Sequence, residues 1–342
     1  MATIVIRSPE ATFRPEGYIV NHVVRELVDA GVHVTELWSA PSPAVSAQTG
    51  FFDNATLSRA HLEAVRKAIS VVRDGDTVFF SDLLGPPLSV LRMHAYCAKI
   101  RITVCGVLHC FVNRPRDFLY DAPPWAYQME SHMLECADEA YVATPHGQEC
   151  IRGNRFVSEA QFQKVKVVRF PFLVEPRVTE KPSRRRVVFA HRWSPEKNPQ
   201  QFTQLAALAA AQGLDMEFVV LHPTPLPAEV QEQAHVKFIL CRTRSDYERE
   251  LQLAHFVFSA SMLESFGYAI IDGLSYDAIP VVPDVSCYPF LYKPEYVYPP
   301  GDLQAALACM SRQHQGFPLQ EWYSEAPTIG ASVLSLTSRH QT

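Results

Sequence analysis

Glycine is scarce in this 342-residue chain, at 14 residues against 26 prolines, and no periodic glycine or low-complexity stretch occurs. That excludes a collagen-like repeat and a disordered linker, and suits many fixed loops between regular elements. Long apolar runs are also missing. The longest, such as those at 77–80 and 277–282, fall far short of the roughly 18–20 residues of a membrane helix. Arg7 and Pro9 stand where a secretory leader needs an apolar stretch, so the expectation is a soluble, cytoplasmic protein with no membrane span. No Cys-x-x-Cys pair occurs among the eight cysteines (Cys97, Cys105, Cys110, Cys136, Cys150, Cys241, Cys287 and Cys309). That spacing argues against structural zinc and a disulfide framework, and for reduced thiols. Neither sign of charge dominates: 31 Lys and Arg against 36 Asp and Glu leave −5, split as 17 against 19 through residue 175 and 14 against 17 beyond it. Neither half is a basic nucleic-acid-binding domain, so a nucleic-acid contact would have to be a local patch.

What is present is globular: 47% hydrophobic and 20% charged residues, in a length that suits two domains. Residues 2–6 read as a buried strand, Tyr18–Ala30 as a helix stopped by Gly31, and 32–37 as the next strand, a β-α-β unit that implies a parallel sheet. The alternation continues with helix 57–73, strand 76–81, helix 87–99, strand 101–109, helix 125–136, strand 139–144 and a helix from about 145. After the proline-bearing stretch 167–186 a second alternation begins, with strands at 186–191, 216–222, 236–240, 255–260 and 279–283. Helices are expected at 199–212, 245–254, 267–277 and 302–312. The expected organisation is α/β: an N-terminal Rossmann-like domain over 1–172, a C-terminal one over 173–320, and a segment 321–342 returning toward the first. Ligands of open α/β sheets sit at the carboxyl ends of strands, and the natural place is the cleft between two such domains.

Three constellations fall at strand ends. In 189–202, His191, Arg192 and Trp193 follow a buried strand and Lys197 comes five residues after Arg192, so two cations on one loop can clamp a diphosphate. The plain alternative is a solvated loop in which Glu196 pairs with a neighbour. In 259–282, Glu264-Ser265-Phe266-Gly267 leads into a helix, where Gly267 lets backbone approach a ligand. Glu264 and Asp272 are eight apart, two separated acceptors suited to a hydroxyl on a sugar and another on a ribose. The alternative is a helix-capping Glu264 and a surface Asp272. The third is His109, leaving a strand in the first half, with Arg114 and Arg116 beyond it on the same rim. Asp74-Gly75-Asp76 superficially matches a metal-binding Asp-x-Asp, but its place before a strand reads as a turn, and no metal site is assigned.

On these residues the sequence resembles the GT-B glycosyltransferases of the large retaining, nucleotide-sugar-dependent class, the GT4-like group, best over about 170–310. The resemblance implies that Arg192 and Lys197 bind the donor diphosphate, Glu264 the donor sugar and Asp272 the nucleotide ribose, one methylene shorter than the usual glutamate. It further implies that backbone at Ser265, Phe266 and Gly267 meets the diphosphate, that His109 lies beside sugar and phosphate, and that Arg242 lies near the donor base. By the same resemblance the co-substrate is expected to be a UDP- or GDP-linked sugar with no required cofactor, and the anomeric configuration to be retained. The first loop departs from the group's Gly-Gly pair, with Gly17 alone before the helix and Arg14 as an acceptor or phosphate contact. The runs 191–202, 264–267 and 287–303 are similar to the tRNA-queuosine mannosyltransferases. The stretches 75–96 and 106–119 are similar to phage enzymes that glycosylate hydroxymethylated pyrimidines in DNA, which would place the protein in a host cytoplasm.

Both groups modify a nucleobase, so the preferred acceptor is a hydroxymethylated pyrimidine in DNA, with tRNA queuosine next. Arg14, Arg114, Arg116, Arg152, Arg155, Lys164 and Lys166 could track phosphates, and Phe111, Phe118, Tyr120 and Trp125 could stack an extruded base. The competing account is ordinary surface charge around a buried aromatic core. A glycan or lipid glycosyltransferase would carry a basic, apolar docking helix, which 87–99 matches weakly. A non-catalytic nucleotide-sugar-binding protein is disfavoured by intact Arg192, Lys197 and Glu264.

Overall fold

The computed structural model describes residues 2–7, 15–38, 54–115, 117, 119–172, 180–312 and 318–338. It divides into two compact units, Met1–Pro171 with Ser324–Thr342, and Phe172–Tyr323.

The first unit runs β1 (Thr3–Arg7), α1 (Pro15–Asp29), β2 (Val34–Trp38), α2 (Asn54–Val71), β3 (Thr77–Phe80), α3 (Leu88–Ala98), β4 (Thr103–Val107), α4 (Pro124–Cys136), β5 (Glu139–Val142), α5 (Pro145–Arg152), α6 (Glu159–Phe162) and β6 (Val165–Val167). Its six strands pair in the order β2-β1-β3-β4-β5-β6, all parallel. β1, β3, β4 and β5 are buried along their whole length, because helices cover both faces of a parallel sheet. β6 and α6 were not expected from sequence. β6 is a three-residue edge strand with Lys166 in its middle, too short and too polar to show as an apolar run.

Asp74, Gly75 and Asp76 do form a turn, with Gly75 at φ +82°. Asp74 Oδ1 accepts from the Arg101 amide at 2.7 Å, and Asp76 accepts from the Ala2 and Arg73 amides at 2.8 and 2.9 Å. The carboxylates tie strand ends together.

The second unit runs β7 (Arg185–Phe189), α7 (Pro199–Ala211), β8 (Met216–His222), α8 (Ala228–Gln231), β9 (Val236–Leu240), α9 (Arg244–Gln252), β10 (Phe256–Phe258), α10 (Tyr268–Leu274), β11 (Ile279–Pro283), α11 (Tyr288–Leu291), β12 (Val297–Tyr298) and α12 (Leu303–Ser311). Its sheet is parallel in the order β12-β11-β10-β7-β8-β9. Phe189, Phe202, Phe218, Phe258 and Tyr298 are in ring contact in its core. From β7 the chain winds outward through β8 and β9, then returns to β10 on the other side. The point where strand order reverses therefore lies between β7 and β10, the place beyond the strands' carboxyl ends where open α/β sheets bind ligands. α10 ends at Leu274 rather than 277, because Asp277 takes a left-handed φ of +58°.

α13 (Glu321–Glu325) leads to α14 (Ile329–Ser338), which packs against α1, β3 and β4 of the first unit. Thr328 Oγ1 donates to Glu26 at 2.9 Å, and Thr337 meets Thr77 at 3.3 Å.

In the first unit the loop after β4 is held by buried carboxylates. Glu130 on α4, fully buried, accepts from the Val112 amide at 3.1 Å and from Asn154 Nδ2 at 2.8 Å. Burial pushes its carboxyl up to about 7. The folded value lies above the unfolded one, so stability tied to the protonated acid is present below pH 4.5 and lost as pH rises through about 7. A shift of this size couples about 3 kcal/mol to the proton. Denaturant melts of the wild type should weaken between pH 5 and pH 8, and Glu130→Gln should flatten that dependence. An equal slope in both proteins would remove Glu130 as its source.

Candidate active site

β7 delivers Ala190 and His191 to its carboxyl end, and Trp193 pins the following loop by packing edge-on against Phe189 and Phe238, 6.1 and 5.4 Å between ring centres. Ser194 opens a single 3-10 turn, Pro195–Lys197, and Asn198 at φ +50° swings the chain into α7, which starts at Pro199. That swing aims Lys197 inward, leaving it 9% exposed. Its Nζ donates to Glu264 Oε1 at 2.7 Å, to the Leu263 carbonyl at 3.0 Å and to Ser261 Oγ at 3.4 Å. The Met262 amide donates to the Glu196 carbonyl at 3.1 Å. Two loops on adjacent strands are thereby stapled at the switch point.

Arg192 extends from the same loop, and its Nη2 donates to Glu196 Oε1 at 3.1 Å, an oxygen that also accepts from Ser194 Oγ at 2.7 Å. The pairing of Glu196 with a neighbour therefore occurs, and it holds Arg192 on the loop that also carries the buried lysine. The Glu264 backbone is held at both ends by Ser286, whose hydroxyl accepts from the Glu264 amide at 3.1 Å and donates to its carbonyl at 2.6 Å. Gly267, at φ +78°, is where glycine is required: a Cβ would also sit 2.9 Å from the Tyr288 ring. Tyr288 in turn donates to Ser259 at 2.8 Å. Phe266 is buried against Tyr268 and Tyr323, and Ser265 lies between it and Glu264 on the loop. α10 has only two turns, so positive potential at this place comes from the two cations far more than from a helix dipole.

His191 was not singled out by the sequence as a site residue, and it is 4% exposed. Its Nδ1 lies 3.4 Å from Glu264 Oε1, and its Nε2 has no hydrogen-bond partner among the described residues. Burial, opposed by the Glu264 charge, pushes its pKa down to about 4, so the ring is neutral near pH 7.

Asp272 lies on α10 and is gripped by Arg244 of α9, whose Nη1 and Nη2 donate to its two oxygens at 3.0 and 3.1 Å. Arg244 also donates to Glu248 at 2.6 Å. This fork was missed, because nothing in the spacing of residues 244 and 272 shows that α9 and α10 are neighbours. Arg242 is exposed at the end of β9, with β8 between that strand and β7.

In the first unit, His109 follows β4, and its Nε2 lies 3.0 Å from the Ser81 carbonyl. A carbonyl only accepts, so Nε2 carries the proton. Arg114 corrects the expectation of an exposed rim: it is 5% exposed and paired with Asp117, its Nε 2.9 Å from Oδ2. A guanidinium near the interior needs such a partner. Gly17 also differs from its expected place before a helix. α1 starts at Pro15, which suits a first helical position, so Gly17 lies within the helix. Arg14, Arg116 and Phe118 lie outside the described residues.

Lys164 is committed to the end of α4, donating to the carbonyls of Leu134, Glu135 and Ala137 at 2.9, 3.2 and 2.9 Å. Arg152, Arg155 and Lys166 are exposed, Arg152 pairing with Glu159 at 3.6 Å. Phe111 is buried, whereas Trp125 and Tyr120 are 56% and 39% exposed.

All eight cysteines are free thiols. Among the described residues no group of three or more His, Cys, Asp or Glu could hold a metal ion, and no helix is long and apolar enough to cross a membrane.

No family model matches the chain. Its fold is similar to that of the lipopolysaccharide outer core galactosyltransferase WaaB in its apo form, at 13% identity over 99% of this chain and 95% of that one, TM-score 0.62. The sucrose-phosphate synthase of Thermosynechococcus elongatus is similar at 16% identity, 99% and 94% coverage, TM-score 0.66. So is an E. coli trehalose-6-phosphate protein bound with UDP-2-fluoro glucose, at 11% identity, 99% and 96% coverage, TM-score 0.65. With two parallel six-stranded sheets, the chain has the GT-B fold.

Proposed function

We propose that this protein is a nucleotide-sugar-dependent glycosyltransferase. The observation that carries the reading is the convergence of Lys197 and Glu264, with Arg192 on the same loop as the lysine, at the switch point of the second unit's sheet. Breaking the bond between sugar and nucleotide leaves negative charge on the diphosphate, and cations already in place stabilise that charge as it develops. Lys197 and Arg192 take this part, joined by backbone at Ser265, Phe266 and Gly267. Glu264 accepts from hydroxyls of the transferred sugar, a UDP- or GDP-linked hexose or pentose. His109 orients substrate, and transfer proceeds with retention and without a metal. Asp272 reaches the ribose only by sharing its oxygens with Arg244.

The acceptor we infer is a hydroxymethylated pyrimidine in DNA. The support is the first unit's sequence likeness, together with exposed Trp125 and Tyr120 for stacking and exposed Arg152, Arg155 and Lys166 for phosphates. Three phosphate contacts give a log–log salt slope of about −2.7 for DNA binding, and a flat response counts against nucleic acid. A lipid-linked acceptor is the second reading. It is favoured by α3, which exposes Val90, Met93 and Tyr96 at 51%, 62% and 82% along one side.

The test is a donor screen with UDP-glucose, UDP-GlcNAc and GDP-mannose against hydroxymethylcytosine DNA, hydroxymethyluracil DNA and queuosine tRNA, read by nucleoside mass spectrometry. A sugar mass on one modified nucleoside establishes donor and acceptor together, and on queuosine it moves the acceptor to tRNA. Donor hydrolysis without a nucleoside product moves the acceptor to a glycan or lipid. No turnover of any donor by folded protein overturns the enzyme reading.

A further inference from the structure

Two nitrogens approach one oxygen of Glu264, the first as a hydrogen bond and the second at longer range. Lys197 Nζ lies 2.7 Å from Oε1 and His191 Nδ1 lies 3.4 Å from the same atom. The lysine has a second duty in the proposed reaction, because a bound diphosphate competes with Glu264 for its charge. The histidine has no such competing duty. It is buried, it packs edge-on against Phe189 at 5.2 Å, and it stands at the end of the strand that carries the clamp.

The electrostatics select one tautomer. A carboxylate oxygen only accepts, so a bare Nδ1 lone pair facing Oε1 would be repelled, and a hydrogen on Nδ1 removes that repulsion. The proton then sits on Nδ1, and Nε2 is a buried lone pair without a donor among the described residues. An apolar residue would fill this place without that unsatisfied atom, so filling the core does not account for an imidazole here. The groups facing the ring are Glu264 from the loop after β10 and Arg192, Glu196 and Lys197 from the loop after β7. Burial keeps the ring neutral among them, so it can donate from Nδ1 without adding a third cation.

We propose that His191 is a positioning residue: its neutral Nδ1–H holds the Glu264 carboxylate in place for the donor sugar when Lys197 turns to the diphosphate. The role rests on the glycosyltransferase reading, but the tautomer does not. Loss of the histidine should therefore lower kcat while leaving the affinity for a bare nucleoside diphosphate intact, since Arg192 and Lys197 remain.

Two measurements on the full chain test this. Long-range proton–nitrogen spectra of the histidine rings, with His191 assigned by its loss in His191→Asn, should show a neutral Nδ1–H ring at pH 7 that shifts in Glu264→Gln. A ring protonated on Nε2, or one indifferent to Glu264→Gln, overturns the proposal whether or not any sugar is turned over. The second measurement compares variants on the donor that the screen identifies, together with UDP and GDP binding by calorimetry. The Asn amide nitrogen falls where Nδ1 does, and that of Gln falls nearer Nε2. His191→Leu and His191→Gln should lose about 10- to 100-fold in kcat, His191→Asn should recover most of it, and the diphosphate Kd should stay unchanged. Equal losses in Asn and Leu, or a weakened diphosphate Kd in folded His191→Asn, overturn it. Absence of donor turnover by the wild type overturns the glycosyltransferase reading instead and leaves the tautomer result standing.

Discussion

Replacing Lys197 by alanine is expected to lower kcat/KM for the donor by about 10²- to 10³-fold, the usual loss when one preorganised donor to a developing anion is removed. Lys197 is 9% exposed and its ammonium sits among three oxygens at 2.7, 3.0 and 3.4 Å, so little of its charge is screened by water. Its loss also leaves the Glu264 carboxylate with less compensation in the same place. Arginine should not rescue it, because a planar fork cannot satisfy three oxygens grouped around one point. Initial rates with the identified donor, beside thermal melts to confirm folding, measure the effect. Lys197→Ala and Glu264→Gln should be markedly non-additive, since each removes the other's partner. A folded Lys197→Ala that turns over like the wild type would falsify the diphosphate role.

The largest effect on stability is expected at Arg186, on the opposite end of the same strand. It is 8% exposed, and its Nε and Nη1 donate to Glu217 of β8 at 2.6 Å and to Glu250 of α9 at 2.9 Å. Arg186→Ala leaves two carboxylates facing a site that no longer holds its central cation, with only the more distant Lys237 at 3.8 Å from Glu217 and Arg249 at 3.9 Å from Glu250. Breaking such a buried network costs about 3–5 kcal/mol, which for a unit of this size lowers the melting temperature by about 10 °C. Arg186→Met alone should be as damaging. Arg186→Met with Glu217→Gln and Glu250→Gln should recover most of the loss, because the penalty lies in the unpaired charges rather than in the missing contact. Calorimetric melts of the three proteins decide this. If the single and triple variants melt alike, the network is not what holds β7, β8 and α9 together.

Much of the fold was legible because parallel strands buried on both faces read as short, continuous apolar runs. The runs at 216–222 and 279–283 match β8 and β11 residue for residue, and 236–240 matches β9, although that edge strand is only partly buried. Elements without such a run escaped: β6 carries Lys166 at its centre, and β12 has only two residues. α10 is shorter than its apolar pattern implies, because the chain leaves the helix in a turn that ends at Asp277 with a left-handed φ.

At the candidate site the division is similar. Lys197 and Glu264 were visible as charged residues at strand ends, and their meeting follows from β7 and β10 being neighbours. Arg114 looked like one more exposed arginine, and its burial against Asp117 depends on how the loop after β4 folds over Asn154 and Glu130. The Arg244–Asp272 fork and the His191–Glu264 approach join residues 28 and 73 positions apart, and no local pattern announces either.

By itself the sequence determined the alternation of strands and helices, the two α/β halves and the placing of charged residues at strand ends. Those follow from apolar periodicity, proline and glycine, which act over a few residues. Only the tertiary structure decided which of those charges meet, which are buried and which are already spoken for. Pairing across a parallel sheet joins segments far apart in the chain, and burial then sets the charge and proton position of a residue such as His191.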